Sequence, residues 1–182
     1  IARVRKVIKK NFLSEGKLTN QLEKEIKKFL RVKYCVLTST GSAALYLSLK
    51  ALNVKKGDQV IVPNITYVAT VNAVKLVGAI PKLVDVDPKN LSLDIVDLKK
   101  KISKKTKVII PVHVSGRGGN IKKIISIANK HKIKIVEDAA EAFGSKIYKR
   151  NFRRFIKTSS NDENDPRRCW IWKNYSSGNS LS

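Results

Sequence analysis

The sequence contains no methionine, only two cysteines, and few acidic residues. It begins at Ile1, and this start together with the missing methionine indicates a fragment or an incomplete reading frame. Cys35 and Cys169 lie far apart and form no CxxC pair, which gives no support to a disulfide framework or to a metal site. We therefore expect no bound metal and a reducing, cytoplasmic environment.

Long apolar runs are also missing. No stretch approaches the roughly 20 apolar residues that a membrane-spanning helix needs, and no signal-peptide pattern is present. We therefore expect no membrane partner. The 182 residues fit a single folded domain with an ordinary share of apolar residues, 42%.

The shortage of acidic residues, 14 against 38 basic ones, leaves a net charge of +24. One interpretation is a non-catalytic basic binding protein, such as a nucleic-acid binder, because Lys and Arg attract phosphates. The other is a lysine-rich set of solvated helix faces. Lysines recur in nearly every segment, and no aromatic residues alternate with them to stack bases. The pattern favours solvated faces, so we expect no specific nucleic-acid partner.

From residue 1 to about residue 148, helix-like and strand-like patterns alternate, which is typical of an α/β protein. Continuous apolar runs such as Val108–Ile110 indicate strands that are covered on both faces, as in a parallel sheet. One helix is predicted to start at Thr19 or Asn20, with Glu23 in a capping box. Asp94 is predicted to cap another. Strands are predicted at residues 34–38, 59–62, 81–86, 107–113 and 133–137, with helices between them.

The last part of the chain, residues 149–182, differs in character. It is polar and rich in turn-forming residues, with no sustained helical or strand period. Such a composition buries too little apolar surface to order itself. We interpret it as a tail that is disordered, poorly packed or read out of frame.

Three segments follow predicted strands, where open α/β sheets bind their ligands. In Thr38–Leu45, small residues open a helix, whose free N–H groups form an anion site; an ordinary Ser/Thr-capped turn would look similar. In Pro63–Asn72, Tyr67 lies near a helix start, where its ring could stack on a flat ligand or belong to the core. Each of these two segments is a weak indication on its own.

The third segment, Ile135–Ala142, brings carboxylates to the end of an apolar strand. Glu137 and Asp138 follow the strand, and Glu141 comes three residues later. A buried carboxylate needs a cationic or hydrogen-bonding partner, and a protonated pyridine nitrogen is one such partner. The alternative is an acidic helix start that matches the helix dipole.

Taken together, these segments make residues 1–148 resemble the DegT/DnrJ/EryC1/StrS family of nucleotide-sugar aminotransferases, which use pyridoxal 5′-phosphate (PLP). Within the family the resemblance is to the perosamine-synthase-like branch. The motifs that carry it are Phe12–Lys17, Thr40–Ala44, Pro63 with Thr66–Asn72, Val84–Pro88, Ile110–His113 with Gly116, and Glu137–Gly144. The resemblance implies a truncated aspartate-aminotransferase-like (fold type I) large domain, with three α/β/α layers and a mostly parallel sheet.

The resemblance also implies roles for individual residues. Ser42 and Ala43 would hold the cofactor phosphate, chiefly through backbone N–H groups. Tyr67 would stack on the pyridine ring, and Asp138 would pair with the ring nitrogen. Glu141 would lie near the phenolic oxygen of the ring. The implied reaction transfers an amino group from an amino-acid donor, glutamate, to a keto nucleotide sugar for polysaccharide synthesis, in a homodimer.

The sequence departs from the family after residue 148. The glycine-rich stretch and the lysine that attaches the cofactor as a Schiff base are not recognisable, and the surroundings of Lys173 do not match that lysine. We therefore expect this chain to lack transaminase activity by itself. The alternative function is that of a non-catalytic basic binding protein, either a remnant that still binds the cofactor or a nucleic-acid binder. Some family members carry a histidine in place of the lysine and dehydrate their substrate, but no histidine follows His131 here. For His113 we expect a structural rather than a catalytic role.

Overall fold

The computed structural model describes residues 2–9, 16–147, 150–151 and 171–173. Its helices are α1 (Ala2–Lys9), α2 (Lys17–Leu30), α3 (Gly41–Ala51), α4 (Val68–Leu76), α5 (Ile95–Lys101) and α6 (Ile121–Lys130), with a 3-10 helix at Val114–Gly116. Its strands are β1 (Val36–Thr38), β2 (Gln59–Pro63), β3 (Ile80–Val84), β4 (Thr106–Ile109), β5 (Lys134–Ile135), β6 (Lys146–Ile147), β7 (Arg150–Asn151) and β8 (Ile171–Lys173). None of the helices in these ranges is both long and apolar enough to cross a bilayer.

The central sheet has four strands in the order β3-β2-β4-β5, and all its pairings are parallel. Successive side chains of a strand point to opposite faces, so each apolar run supplies two cores. On one face, Val60, Val62, Val108, Ile110 and Val136 pack with side chains of α3 and α4. On the other, side chains of the same strands pack against α5 and α6 (Ile61, Ile109, Ile135, Leu98, Ile124, Ala128). The predicted three-layer α/β/α fold with a parallel sheet is confirmed.

Strand β1 lies outside this sheet. It pairs in parallel with β8, and Thr38 is the register partner of Lys173. Strands β6 and β7 form a small antiparallel pair. Most of the predicted tail, residues 149–182, lies outside the described residues, and so do residues 10–15. The boundary near residue 148 therefore stays a prediction.

The start of α2 corrects one local prediction. The helix begins at Lys17, with Gly16 as an N-cap that provides no side-chain hydrogen bond. Glu23 therefore lies inside the helix rather than in its first turn, and the predicted capping box is wrong. Instead, Glu23 Oε1 accepts a hydrogen bond of 3.0 Å from the amide of Leu37. This contact ties α2 to β1. It also gives the amide of Leu37 an acceptor, which a strand amide needs.

The other predicted elements are found with shifted ends. Asp94 caps α5 as predicted, because its Oδ1 accepts a hydrogen bond of 2.7 Å from the amide of Asp97. The strands predicted at 107–113 and 133–137 are shorter, since β4 ends at Ile109 and β5 at Ile135. Beyond these ends a single bridge joins Val112 to Asp138. The chain thus leaves regular pairing where the predicted site residues begin.

Candidate functional site

Asp138 lies just beyond the carboxyl end of β5, in the bridge with Val112. Its backbone is held from both sides, because its N–H donates to Pro111 O (2.9 Å) and its carbonyl accepts from the amide of His113 (3.0 Å). The residue is only 7% exposed. The segment after β4 therefore fixes Asp138 at the carboxyl edge of the sheet, where the sequence predicted a ligand.

The carboxylate of Asp138 contacts the first turn of α4. Thr70 Oγ1 donates to Asp138 Oδ2 at 3.1 Å, and the amide of Ala140 donates to Asp138 Oδ1 at 3.2 Å. Thr70 is fully buried, and its hydroxyl lies 3.0 Å from that of Thr66. Each oxygen of the carboxylate therefore accepts a hydrogen bond from a different segment of the chain.

Tyr67 lies next to this contact. It is the N-cap of α4, with extended backbone angles, and its carbonyl accepts a hydrogen bond of 3.1 Å from the amide of Thr70. Its side chain is open to solvent, since the residue is 75% exposed. The structure thus places an exposed aromatic ring three residues before Thr70, the residue that contacts Asp138. The alternative of a core tyrosine does not fit this exposure.

Ser42 and Ala43 lie in the first turn of α3, after the N-cap Thr40. The amide of Ala43 donates to Thr40 Oγ1 at 3.1 Å, so it is already used. In the described part of the chain, the amides of Gly41 and Ser42 donate to no protein acceptor, and they are the two free donors of this turn. Helix α3 packs beside α4 through Leu45 and Leu49.

These two parts of the predicted site are joined only through packing. No hydrogen bond links Ser42 to Tyr67 or Asp138 among the residues that the structure describes. The assignment of Ser42 and Ala43 to a phosphate therefore stays a prediction. The positive end of the α3 dipole and the two free amides are what favour an anion there.

Glu141 has a structural partner. Its Oε2 accepts a hydrogen bond of 2.7 Å from the amide of Ser115, in the 3-10 helix that follows β4. This turn is tightly bent, with Ser115 at φ 52° and Gly116 at φ 74°. The positive φ favours glycine at position 116, where a Cβ would also lie 2.9 Å from Ser145 Oγ and force that hydroxyl to turn away. Glu141 therefore holds the segment beside Asp138, and its predicted position near a ring oxygen stays a prediction.

The sequence did not reveal the pair formed by His113 and Glu137. His113 Nε2 lies 2.9 Å from Glu137 Oε2, and both side chains are almost fully buried. The two residues are 24 positions apart, so only the pairing of the segments after β4 and β5 brings them together. The sequence signal for this pair was Glu137 itself. A carboxylate at the end of an apolar strand is buried, and a buried carboxylate needs a partner.

The donor set of this edge suits a particular kind of ligand. A buried carboxylate suits a protonated ring nitrogen, an exposed tyrosine suits a flat ring, and free amides at a helix start suit a phosphate. A second feature lies elsewhere: a cavity of about 420 Å³ at the amino ends of β4 and β5, lined by Ile102, Ser103, Lys104, Thr106, His131 and Ile133. It is at the opposite edge of the sheet from Asp138.

Comparison with known proteins gives a consistent answer. The model of the DegT/DnrJ/EryC1/StrS aminotransferase family matches residues 1–159. GDP-perosamine synthase of Vibrio cholerae is 38% identical over 134 residues, which are 74% of this chain and 36% of that protein. GDP-perosamine synthase of Escherichia coli O157:H7 is 40% identical over 133 residues, 73% of this chain and 36% of that protein.

Solved structures agree with these relatives. An aminotransferase from Psychrobacter cryohalolentis superposes with a TM-score of 0.79 at 30% identity, covering 84% of this chain and 39% of that one. NtdA from Bacillus subtilis, solved with bound PMP, superposes with a TM-score of 0.75 at 34% identity, covering 78% and 32%.

The fold and the family model define a fold type I α/β domain of the aminotransferase class. The chain belongs to the DegT/DnrJ/EryC1/StrS aminotransferase family. It spans little more than a third of the length of the curated relatives, 36% of the GDP-perosamine synthases. The activity of a whole relative therefore does not pass directly to these 182 residues.

Proposed function

We propose that this chain forms the cofactor-binding part of a PLP-dependent aminotransferase that acts on a keto nucleotide sugar. The observation that carries the proposal is the carboxylate of Asp138. It is buried at the carboxyl edge of the sheet, held by Thr70, and Thr70 in turn is bound to the helix start that exposes Tyr67. Because the chain belongs to an aminotransferase family, we interpret this arrangement as a site for PLP.

Each residue of the site has a separate task in this proposal. Bound PLP supplies an electron sink for the carbon that gains or loses the amino group. Asp138 would accept a hydrogen bond from the protonated ring nitrogen and so keep it protonated. Tyr67 would cover one face of the ring. Of the two residues predicted to hold the phosphate, Ser42 would offer its amide together with that of Gly41, and the amide of Ala43 would have to leave Thr40 Oγ1 to take part.

The proposed reaction moves an amino group between two carbons. An amino-acid donor, for which we propose glutamate, becomes a 2-oxo acid, and a carbonyl carbon of the sugar becomes an amine-bearing carbon. The relatives include GDP-perosamine synthases at 38–40% identity and a UDP-2-acetamido-2-deoxy-3-oxo-D-glucuronate aminotransferase of Pseudomonas aeruginosa at 39%. Because these identities are nearly equal, the proposal extends to nucleotide sugars as a class and leaves the base open.

Further parts of the proposal come from the family and the sequence. The relative SpsC of Bacillus subtilis is named as a spore coat polysaccharide biosynthesis protein, and we propose a role in polysaccharide synthesis here too. We propose a homodimer in the cytoplasm. Since no lysine in the sequence has the surroundings of the Schiff-base lysine, we propose that the 182 residues do not transaminate by themselves.

Equilibrium binding of pyridoxamine phosphate (PMP) tests the cofactor site. PMP carries the ring nitrogen and the phosphate but no aldehyde, so it does not react with the many lysines of this chain. We expect saturable binding that weakens about tenfold or more in Asp138→Asn, because a charge-assisted hydrogen bond is lost. Asp97→Asn, at a carboxylate of α5 that pairs with Lys101, is the matched control and should bind normally.

Two further ligands complete the test. Pyridoxamine, which lacks the phosphate, should bind far more weakly than PMP, and inorganic phosphate should compete with PMP. Equal binding of PMP by Asp138→Asn and by the unaltered chain would contradict the proposal. A product of amino transfer from glutamate to a keto nucleotide sugar, formed by these 182 residues and detected by mass spectrometry, would contradict the proposed inactivity.

A further inference from the structure

Two hydroxyl groups form a chain that ends on Asp138. Thr70 Oγ1 donates to Asp138 Oδ2 (3.1 Å), and Thr66 Oγ1 lies 3.0 Å from Thr70 Oγ1. A threonine hydroxyl has one proton, and that of Thr70 is used on Asp138. Thr66 must therefore donate to Thr70, so the chain has a single direction, from Thr66 through Thr70 to the carboxylate.

Thr70, the middle residue of this hydroxyl chain, connects two parts of the proposed cofactor site. Thr70 lies in the first turn of α4 and is bound through its amide to the carbonyl of Tyr67. One residue is therefore joined both to the helix start that carries the exposed ring and to the carboxylate at the sheet edge. Nothing in the predicted site included it, because 68 residues separate Thr70 from Asp138.

We infer that Thr70 is a positioning residue, which orients the carboxylate of Asp138 toward the cofactor ring nitrogen and keeps it in register with Tyr67. The inference rests on the proposed cofactor site. Oδ2 is held by Thr70 and Oδ1 by the amide of Ala140, so the carboxylate cannot rotate without losing a hydrogen bond. These two contacts fix the plane of the carboxylate, and with it the direction in which it can accept a hydrogen bond.

A comparison of two ligands isolates this role. PMP has the ring nitrogen, and its deaza analogue has a C–H group in that place, so the ratio of their dissociation constants reports the contact with Asp138 alone. We expect the unaltered chain to prefer PMP by about ten- to a hundredfold. In Thr70→Val, which keeps the shape but removes the hydroxyl, the preference should fall by about two- to tenfold.

Two variants separate positioning from folding. Thr70→Ser restores a hydroxyl and should recover most of the preference for PMP. Ser48→Ala is the matched control, because it removes another fully buried helix hydroxyl, bonded to Ala44 O at 2.7 Å, away from Asp138. It should leave the ratio unchanged. Circular dichroism of each variant shows whether the fold persists.

The possible results can be told apart. If Thr70→Val keeps the full preference for PMP, or weakens both ligands by the same factor, the inference is wrong while the proposed cofactor site stands. The inference is also wrong if Thr70→Ser behaves like Thr70→Val. If the unaltered chain binds neither ligand, the proposed cofactor site fails, and the inference that rests on it fails as well.

Discussion

His113 Nε2 lies 2.9 Å from Glu137 Oε2, and the two side chains are 2% and 8% exposed. The pair lies next to the candidate site, because Glu137 precedes Asp138 in the chain and the amide of His113 donates to the carbonyl of Asp138. His113→Ala should lower the free energy of unfolding by about 3 kcal/mol, since it removes a partner from a buried carboxylate. Urea denaturation measures this loss.

Two variants check the reason for that loss. Glu137→Gln keeps a hydrogen-bonding group at the same place and should cost only about 1 kcal/mol. His131→Ala changes an exposed histidine after α6 and should stay within about 0.5 kcal/mol of the unaltered chain. If His113→Ala were as mild as His131→Ala, the pair would contribute nothing to stability.

Tyr67 should matter for the ligand and hardly for the fold. The residue is 75% exposed, so Tyr67→Ala should change the free energy of unfolding by less than about 0.5 kcal/mol. Stacking of aromatic rings contributes about 0.5–1.5 kcal/mol, so PMP should bind about two- to tenfold more weakly. Tyr67→Phe should bind normally. Tyr34→Ala, at a tyrosine beside Lys33, is the control and should leave PMP binding unchanged.

Asp58 gives the chain a predictable dependence on acid. Burial raises the pKa of Asp58, but the amide of Lys55 (2.8 Å) and the ammonium of Lys107 (3.2 Å) outweigh it and bring the pKa below 3.8. A depressed pKa in the folded state adds stability that is complete above the unfolded value of 3.8 and is lost as pH falls through the folded value.

The corresponding experiment follows the midpoint of thermal unfolding from neutral to acid pH. Asp58→Asn should melt at a lower temperature than the unaltered chain at neutral pH, and the difference should shrink once the pH falls below 3.8. Lys107→Gln should show part of the same behaviour, since it removes one of the two partners. A difference that is constant over the whole range would refute the assignment.

The parts of the molecule that the sequence predicts well depend on local or repeating patterns. The alternation of apolar runs with helical periods predicts the parallel sheet, and a single aspartate, Asp94, predicts the start of α5. Tyr67 is also found where its sequence context puts it, at a helix start. For Asp94 and Tyr67 the interacting groups are within a few residues of one another, so capping decides the result. For the sheet, the apolar run of each strand is a local signal, although the strands that pair are far apart in the chain.

The predictions that failed or were missed depend on distant partners. Glu23 contacts Leu37, 14 positions away, and this contact replaces the local capping box. Thr70 and Asp138 meet only because the carboxyl ends of parallel strands share one edge of the sheet. The sequence predicts that edge, but the position of Asp138 depends on where β4 and β5 end, and these ends were predicted four and two residues too late.

Gly119 offers a test of backbone packing with a control in the same chain. A Cβ at Gly119, which has a φ of +40°, would overlap Ser92 Cβ, whereas a Cβ at Gly57, with a φ of +87°, would meet nothing within 4 Å. Gly57→Ala should therefore cost about 1 kcal/mol of unfolding free energy, from backbone strain alone. Gly119→Ala should cost about 3 kcal/mol, because overpacking adds to that strain.

Ser92→Gly shows whether the extra loss comes from this contact. It removes the Cβ that an alanine at position 119 would strike, so in the double variant the two substitutions should be less harmful than the sum of their separate effects. Ser92→Gly itself carries a cost, since Ser92 Oγ accepts a hydrogen bond of 3.3 Å from the amide of Asn120. Strictly additive losses in urea denaturation would mean that Gly119 is required for its backbone angles and not for the space beside Ser92.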